Sequence, residues 1–347
     1  MDRIKPLSLC TISVLLFLSY TASAQTLKQA TEVNSIIQTN QIPGISLAYI
    51  EAGAMKIELA TGKKSETETV GGETVFSAAS LSKPVFAYLV MKLVDEGTLD
   101  LDTPLSEYYE YVDLKGQKSY PKVTAKMILS HTSGLPNWRK NKLKFIHEPG
   151  EKYSYSGEGY VWLQRVVENL KKKSLEQLAQ EHVFDPFGMD RTSYIFSEKL
   201  SDDFSISFKK DGEARPKTIQ GQANAAASLQ TTASDYAKFL IALLNGEGIP
   251  KELQDQMFTP VKPVKEKEKN PQIFWGLGVG IQKTPAGTQI FQWGDNWTFK
   301  GYFTANIKDK NGLVYFTNSE NGLIPVRELV GTYLSDPQPA ADWLDYH

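Results

Sequence analysis

Cysteine and histidine are scarce in this sequence. The chain of 347 residues contains one cysteine, Cys10, and four histidines. Zinc sites made of several cysteines, iron–sulfur clusters and disulfide-stapled folds are therefore excluded by count. We expect neither a metal nor a cofactor in the functional site.

An excess of positive charge is also lacking. Lysine and arginine number 38, aspartate and glutamate 40, and the formal net charge is −2. Proteins that bind nucleic acid or acidic membrane surfaces normally carry a positive excess, so neither partner is expected. Hydrophobic residues make up 41% and charged residues 22%, as in an average globular protein. This composition excludes extensive disorder and a membrane bundle.

Residues 1–24 have the pattern of a secretory signal peptide. Basic residues precede a short apolar run at 7–18, and Ala22-Ser23-Ala24 supplies a cleavage site before Gln25. A transmembrane anchor is the alternative, but the run is short for a bilayer span. We expect an exported protein, periplasmic or secreted, without a stable membrane anchor. Cys10 would be removed with the signal, which excludes a thiol nucleophile.

Strand-like segments lie at both ends of the chain, and helical segments fill its middle. Strands are predicted at 45–51, 55–61, 274–282, 289–293, 301–307 and 312–318, and terminal helices at 27–39 and 324–333. This order predicts an α/β (α+β) lobe built from both termini, with a helical lobe inserted at about 100–260. Residues 25–338 would form this unit, with a site in the cleft between its lobes, and 339–347 would be a C-terminal tail.

One local motif, Ser80-Leu81-Ser82-Lys83, indicates a nucleophile. A lysine three residues after a serine lies on the same helix face, and burial can lower its pKa enough to accept the hydroxyl proton. Ser-x-x-Lys also begins at Ser119 and Ser207, in stretches expected on the surface. Only Ser80 lies between an apolar strand and a long apolar helix, predicted at 85–96. Taken alone, the motif equally fits a helix N-cap with a solvated lysine.

Residues 76–83 resemble the start of the active-site helix in the serine β-lactamase and penicillin-binding-protein superfamily. The most similar branch is the class C β-lactamase-related group of D-peptidases and carboxylesterases. Further segments resemble the family in the same order: 96–104, 128–136 with its His-Thr-Ser-Gly-Leu stretch, 184–189 and 232–239. The resemblance implies a β-lactamase/transpeptidase-like fold, with an antiparallel sheet flanked by helices. It also implies an acyl-enzyme on Ser80, with Lys83 as a proton acceptor.

The family's second motif, Tyr-x-Asn, has a partial counterpart at 149–160. Tyr155 takes the tyrosine position, where the resemblance implies a general base. Gly157 stands where the family often has an asparagine that bonds the lysine and the substrate amide. The resemblance therefore implies an intact nucleophile and base, with amide recognition in doubt.

The third motif, Lys/His-Thr/Ser-Gly on a strand facing the serine, corresponds to Gln292-Trp293-Gly294. A register with Trp293 first is the alternative. Gln292 is preferred because Gly294 then keeps the glycine, which lets a substrate approach the strand backbone. In the family this Lys or His binds the carboxylate of penicillins and of peptides that end in D-Ala. Glutamine has no charge, which argues against penicillin hydrolysis unless another cation, such as Lys300, replaces it.

The resemblance also assigns the oxyanion hole and the substrate contacts. The oxyanion would be bound by the backbone N–H groups of Ser80 and Asp295, just after the strand glycine. The substrate-binding positions would be Gly157, Gln292, Trp293, Gly294 and Asn296.

Other hydrolase types lack their signatures in this sequence. G-x-S-x-G is absent, so the nucleophile elbow of Ser-His-Asp hydrolases is missing. H-E-x-x-H, the metalloprotease motif, is absent too. We expect a structural role for His131 in its turn.

Three functions remain open. The first is hydrolysis of small esters or amides through an acyl-enzyme. The second is a β-lactamase, a D-Ala-type carboxypeptidase or a D-aminopeptidase, and the third is a penicillin-binding or sensor protein without turnover. Ser80, Lys83 and Tyr155 together favour an enzyme, and Gly157 and Gln292 favour the first function. The partner would be a small-molecule ester, amide or peptide. Loops at 137–148 and 208–222 would form the cleft walls, and the oligomeric state is left open.

Overall fold

The computed structural model describes residues 25–196, 198–217, 220–264 and 272–344. The expected signal peptide lies outside these ranges. Within them, no helix combines the length and apolarity needed to cross a membrane.

The described helices begin with α1 at residues 25–39. The others are α2 (Ser82–Asp95), α3 (Leu105–Tyr108), α4 (Ala125–Leu129), α5 (Gly157–Lys171), α6 (Leu175–Ala179), α7 (Asp185–Phe187), α8 (Ala233–Asn245), α9 (Lys251–Phe258), α10 (Val326–Gly331) and α11 (Pro339–Leu344).

The described strands are β1 (Gly44–Glu51), β2 (Ala54–Gly62), β3 (Phe76–Ser77), β4 (Ser207–Phe208), β5 (Ala214–Arg215), β6 (Gln230–Thr231), β7 (Lys262–Pro263), β8 (Ile273–Trp275), β9 (Gly280–Thr284), β10 (Gly287–Asn296), β11 (Phe299–Asn306) and β12 (Gly312–Thr317).

An eight-stranded antiparallel sheet joins the two ends of the chain. Its strand order is β2-β1-β12-β11-β10-β9-β8-β7, and Ile45 of β1 lies opposite Thr317 of β12. Most of the helices and four short strands lie between β2 and β7, while α1, α10 and α11 come from the two ends of the chain. The predicted architecture, an antiparallel sheet from both termini with a largely helical insertion, is therefore confirmed.

Alternating side chains on the sheet supply two separate cores, as expected when successive residues of a strand point to opposite faces. Phe303 and Phe316 pack with α2 and α8 on one face. Tyr302 and Tyr315 pack with α1, α10 and α11 on the other. The sheet is thus enclosed by helices on both sides, with one end of β10 at the cleft.

Two predicted segments differ from the structure in more than the position of their ends. The segment 274–282 is two strands, β8 and β9, because the chain turns at Gly278, whose φ is +92°. A Cβ on Gly278 would lie 2.1 Å from the Cβ of Ala87 in α2, so this turn packs directly against that helix. In the segment expected to be a tail, α11 packs on the sheet, with Ala340 fully buried.

Candidate active site

Ser80 lies on a strained turn between a strand and a helix. It is the middle residue of the 3₁₀ turn Ala79–Leu81, which connects β3 to α2. Ala79 has a φ of +50°, a left-handed value that residues with a side chain rarely adopt and that tends to occur at functional sites. The Ser82 hydroxyl fixes this turn, donating to the Ala79 carbonyl and accepting from the Leu229 N–H.

Lys83 lies in the first turn of α2 and is fully buried. Its Nζ is 3.0 Å from Ser80 Oγ and donates to the Ala226 carbonyl at 2.8 Å. Burial lowers the pKa of Lys83 from 10.5 to about 7. A large fraction of this amine is therefore neutral at pH 7, and a neutral amine at this distance can accept the Ser80 proton.

Tyr155 reaches the same point from the helical lobe. Its hydroxyl shares a hydrogen bond with Ser80 and accepts one from Gln292 Nε2 at 3.1 Å. Burial raises the pKa of Tyr155 above its ordinary value of 10, and the two hydrogen bonds offset part of that rise. The phenol is therefore protonated at neutral pH. Of the two bases implied by the resemblance, Lys83 has the better matched pKa.

His131 contacts the ring of Tyr155 and accepts a hydrogen bond from the backbone of the next residue. The two ring centroids are 4.2 Å apart, and His131 Nδ1 accepts from the Ser156 N–H at 3.0 Å. Burial lowers the pKa of His131 well below 6.5, helped by the charge of Lys83, so the ring is neutral. The expected role in its turn thus includes a contact that holds the site tyrosine.

Strand β10 brings the third-motif residues to the cluster. Gln292 is fully buried, and besides Tyr155 its Nε2 contacts the Trp293 carbonyl at 2.9 Å. Trp293 contacts Tyr155 through its ring, at a centroid distance of 5.1 Å. A Cβ on Gly294 would lie 2.5 Å from the Ala78 carbonyl, so only glycine lets β10 approach the Ser80 turn this closely. The register in which Gln292 comes first stays a prediction.

Trp138 fills the space where a side chain at position 157 would extend. A Cβ on Gly157 would lie 2.7 Å from the indole of Trp138 and 2.9 Å from the Asn137 carbonyl. Asn137 caps α5, because this carbonyl accepts from the N–H groups of Gly157 and Glu158, each at 3.0 Å. No motif in the sequence predicts a role for Trp138. Its only signal was that a side chain expected at position 157 is absent.

Asp295 and Asn296, which follow Gly294, form an ion pair and hydrogen bonds with other parts of the protein. Asp295 forms an ion pair of 2.5 Å with Lys300, whose side chain is almost completely buried. Lys300, considered as a replacement cation for the substrate, is therefore neutralised by Asp295. Asn296 uses its amide nitrogen to donate to Ser77 Oγ at 2.9 Å and to the Ala227 carbonyl at 3.2 Å. This nitrogen joins β10 to neighbouring segments.

The two other Ser-x-x-Lys pairs do not form such a cluster. Both Ser119 and Ser207 are buried, contrary to the surface position expected. Ser119 and Lys122 both bond to the Glu148 carboxylate, and Ser207 accepts from Thr298. In the ranges that the structure describes, no three His, Cys, Asp or Glu residues are grouped to hold a metal ion.

Known proteins resemble this chain over most of its length. A family model described as Beta-lactamase matches residues 24–328. Protein flp of Staphylococcus aureus (strain MW2) is 22% identical over 315 residues, which are 83% of this chain and 62% of that protein. Penicillin-binding protein 4* of Bacillus subtilis (strain 168) is 24% identical over 298 residues, 74% of this chain and 63% of that protein. The chain thus spans less than two thirds of these relatives.

Solved structures share the fold. The octameric penicillin-binding protein homologue from Pyrococcus abyssi has a TM-score of 0.77 at 23% identity, covering 87% of this chain and 76% of that one. A class C β-lactamase mutant has a TM-score of 0.75 at 18% identity, covering 88% and 97%. With the family model spanning most of the sequence, the chain belongs to the β-lactamase family, in the serine β-lactamase and penicillin-binding-protein superfamily.

Proposed function

We propose that this protein is an exported serine hydrolase that cleaves small esters or amides through an acyl-enzyme on Ser80. The observation that carries the proposal is the distance of 3.0 Å between Lys83 Nζ and Ser80 Oγ, with Tyr155 bonded to the same hydroxyl. The signal pattern in residues 1–24 supports export, which cell fractionation and N-terminal sequencing for Gln25 would test.

Acylation begins when neutral Lys83 accepts the Ser80 proton and Oγ bonds to the substrate carbonyl carbon. The resulting oxyanion is bound by the backbone N–H groups of Ser80 and Asp295. The close approach of Gly294 to Ala78 supports this assignment, since it brings that part of β10 against the Ser80 turn. When the tetrahedral intermediate collapses, the bond to the leaving group breaks. The proton held by Lys83 then passes to that group through the Tyr155 hydroxyl.

Deacylation uses the same groups in the reverse direction. A water molecule attacks the ester of Ser80 and gives its proton to the Lys83–Tyr155 pair. The Ser80–acyl bond breaks, Oγ regains a proton, and the free acid leaves. The cycle consumes one water and requires no further reactant.

Three features favour small esters or amides over β-lactams and D-Ala peptides. Gln292 gives the third motif a neutral donor, and Lys300 is paired with Asp295. Gly157 offers no side chain to bond a substrate amide, and Trp138 occupies that space. The end of the cleft near Tyr155 therefore provides an apolar wall and an uncharged amide, whose Nε2 already donates to Tyr155 and to the Trp293 carbonyl.

The test compares 4-nitrophenyl butyrate with a chromogenic cephalosporin as substrates of the purified protein. We expect ester turnover that is lost in Ser80→Ala and retained in Ser119→Ala, which removes a serine of the same motif type outside the site. Circular dichroism would confirm that both variants are folded.

Other outcomes would redirect the assignment. Faster cephalosporin than ester turnover would favour a β-lactamase, and stable acylation without turnover would favour a sensor. Ester hydrolysis that survives Ser80→Ala would contradict the mechanism. Full activity of Tyr155→Phe would remove the tyrosine from it.

A further inference from the structure

A large pocket borders the Ser80 site. Its volume is about 950 Å³, within the range typical of small-molecule sites. The inner wall includes Ser77, Ala227 and Asn296. The side-chain amide of Asn296 donates hydrogen bonds to Ser77 and to the Ala227 carbonyl, which connects the three residues. Ala227 follows directly after Ala226, whose carbonyl accepts from Lys83. Asn296 likewise follows directly after Asp295, the oxyanion-hole candidate. The pocket wall and the catalytic cluster are therefore adjacent in the chain at these two points.

The outer wall of the pocket is positively charged. Arg215, Lys217 and Lys209 line it, and Glu320 is its acidic member. Lys209 is paired with Glu213, which offsets its charge. Across the described part of the chain, no acidic side chain is paired with Arg215. Lys217 lies over the ring of Phe196 at 4.9 Å, and donates to the Ser201 carbonyl. Arg215 and Lys217 therefore carry the positive charge of this wall, with Asp202 and Asp203 acting on Lys217 and Glu320 lining the same pocket.

The fold directs Arg215 toward the turn that follows β10. Arg215 lies opposite Ser207 in the two-stranded ribbon of β4 and β5, so their side chains share one face. Ser207 Oγ accepts from Thr298 Oγ1 at 2.7 Å. Trp297, which precedes Thr298 in the chain, also lines the pocket. Its side chain is 85% exposed, and its backbone has a left-handed φ of +60°. The guanidinium and an aromatic surface are thus brought to the same opening.

The positions of the catalytic groups determine which part of a substrate reaches this pocket. A leaving group must lie near Tyr155, which is bonded to Gln292 at one end of the site. The acyl chain then extends the other way along β10, past Gly294. Asn296 is two residues farther, about 7 Å along the strand.

We propose that this pocket binds an anionic group at the far end of the acyl chain, so that the preferred substrates are monoesters of dicarboxylic acids. The proposal rests on the proposed ester hydrolysis and adds the substrate class. Arg215 and Lys217 bind the distal carboxylate by charge-assisted hydrogen bonds. The cation absent from the third motif is thereby replaced at the opposite end of the cleft.

The experiment compares two matched series of 4-nitrophenyl esters with the purified protein. One series has neutral acyl chains (pentanoate, hexanoate, octanoate), and the other has carboxylate-terminated chains of the same carbon number (glutarate, adipate, suberate). We expect kcat/KM for the best anionic ester to exceed that of its nearest neutral counterpart by about 10-fold. The preference should weaken between 0.05 M and 0.5 M salt, because ions screen the attraction.

Charge variants then assign the preference to the pocket. Arg215→Gln should lower the ratio of anionic to neutral kcat/KM about 10-fold, and Arg215→Lys should retain part of it. Lys217→Gln should lower the same ratio. Arg165→Gln is the control, since Arg165 is a surface arginine on α5 paired with Glu168, and should change neither series.

The two proposals fail in different ways. Equal rates for both series, or a preference that survives Arg215→Gln and Lys217→Gln together, would overturn the anionic-substrate proposal alone. Equal losses for both series in Arg215→Gln would also overturn it, because that result indicates a structural role. Absence of Ser80-dependent turnover in both series would contradict the proposed ester hydrolysis itself.

Discussion

The indole of Trp138 lies on the α-carbon of Gly157, in the space where the family's asparagine would place its side chain. The two positions are therefore coupled. Restoring the family residue at 157 requires that the tryptophan move, and the Asn137 carbonyl that caps α5 is also within contact range.

This coupling can be measured by a double-mutant cycle. Gly157→Ala should lower the free energy of unfolding by about 1–2 kcal/mol, because the new Cβ overlaps the indole. In a protein that already carries Trp138→Ala, Gly157→Ala should lower the free energy of unfolding by a smaller amount. The difference between the two losses, which is the coupling energy, should be about 0.5 kcal/mol or more. Urea unfolding of the four proteins checks the prediction. Additive effects would show that the indole moves aside without resistance.

The pH dependence of ester hydrolysis should report Lys83. Only the neutral amine can accept the Ser80 proton, so kcat/KM for a neutral ester should fall as the pH decreases through about 7, the pKa of Lys83. Burial raises the pKa of Tyr155, so ionisation of this phenol should not alter the profile below pH 10. Values of kcat/KM measured from pH 5 to 9.5 test both the fall at acid pH and the absence of a change at alkaline pH. A profile that is flat through pH 7 would exclude Lys83 as the base.

Gln292→Lys should restore the family's cation at the third motif and lower the pKa of Lys83. The ammonium would lie near the Tyr155 hydroxyl and the Lys83 amine, where its charge disfavours protonation of Lys83. The acid limb should therefore move to lower pH by about one unit. Turnover of the cephalosporin relative to the ester should rise about 10-fold, since the new charge can bind a carboxylate. Gln292→Met, which has a similar length and no charge, is the matched control and should show neither change.

Gly294→Ala should separate β10 from the nucleophile turn. The added Cβ would lie 2.5 Å from the Ala78 carbonyl, so the strand must shift and carry the Asp295 N–H away from the oxyanion. Loss of one oxyanion donor lowers kcat by about 100-fold or more. Gly331→Ala serves as control, because a Cβ there has nothing within 4 Å. Activity above a tenth of the parent value in Gly294→Ala would contradict the assignment.

The local chemistry of the site could be predicted from the sequence because its signals are short-range. Ser80 and Lys83 are three residues apart, so helix geometry alone places them together. The strands were likewise predicted from short runs rich in apolar and aromatic residues, a signal contained within each segment. The break at Gly278 was not visible, because it depends on the approach of Ala87 from another part of the chain.

Trp138 and Arg215 could not be assigned for a related reason. Both lie in loops expected to form the cleft walls, but a loop sequence does not specify which side chain points inward. The contact of Trp138 with Gly157 spans 19 residues and two elements. The position of Arg215 depends on its pairing with Ser207 across a turn. Only tertiary packing decides such contacts.

The buried amine of Lys83 also makes folding release a proton. In the unfolded chain its pKa returns to 10.5, so between pH 7 and 10.5 the unfolded state binds more protons than the folded state. The contribution of Lys83 to stability is therefore most unfavourable below pH 7, improves as the pH rises, and is neutral above 10.5. Over this window the difference is about 5 kcal/mol. The amine that we propose as the activator of Ser80 therefore destabilises the native state at the pH where it would act.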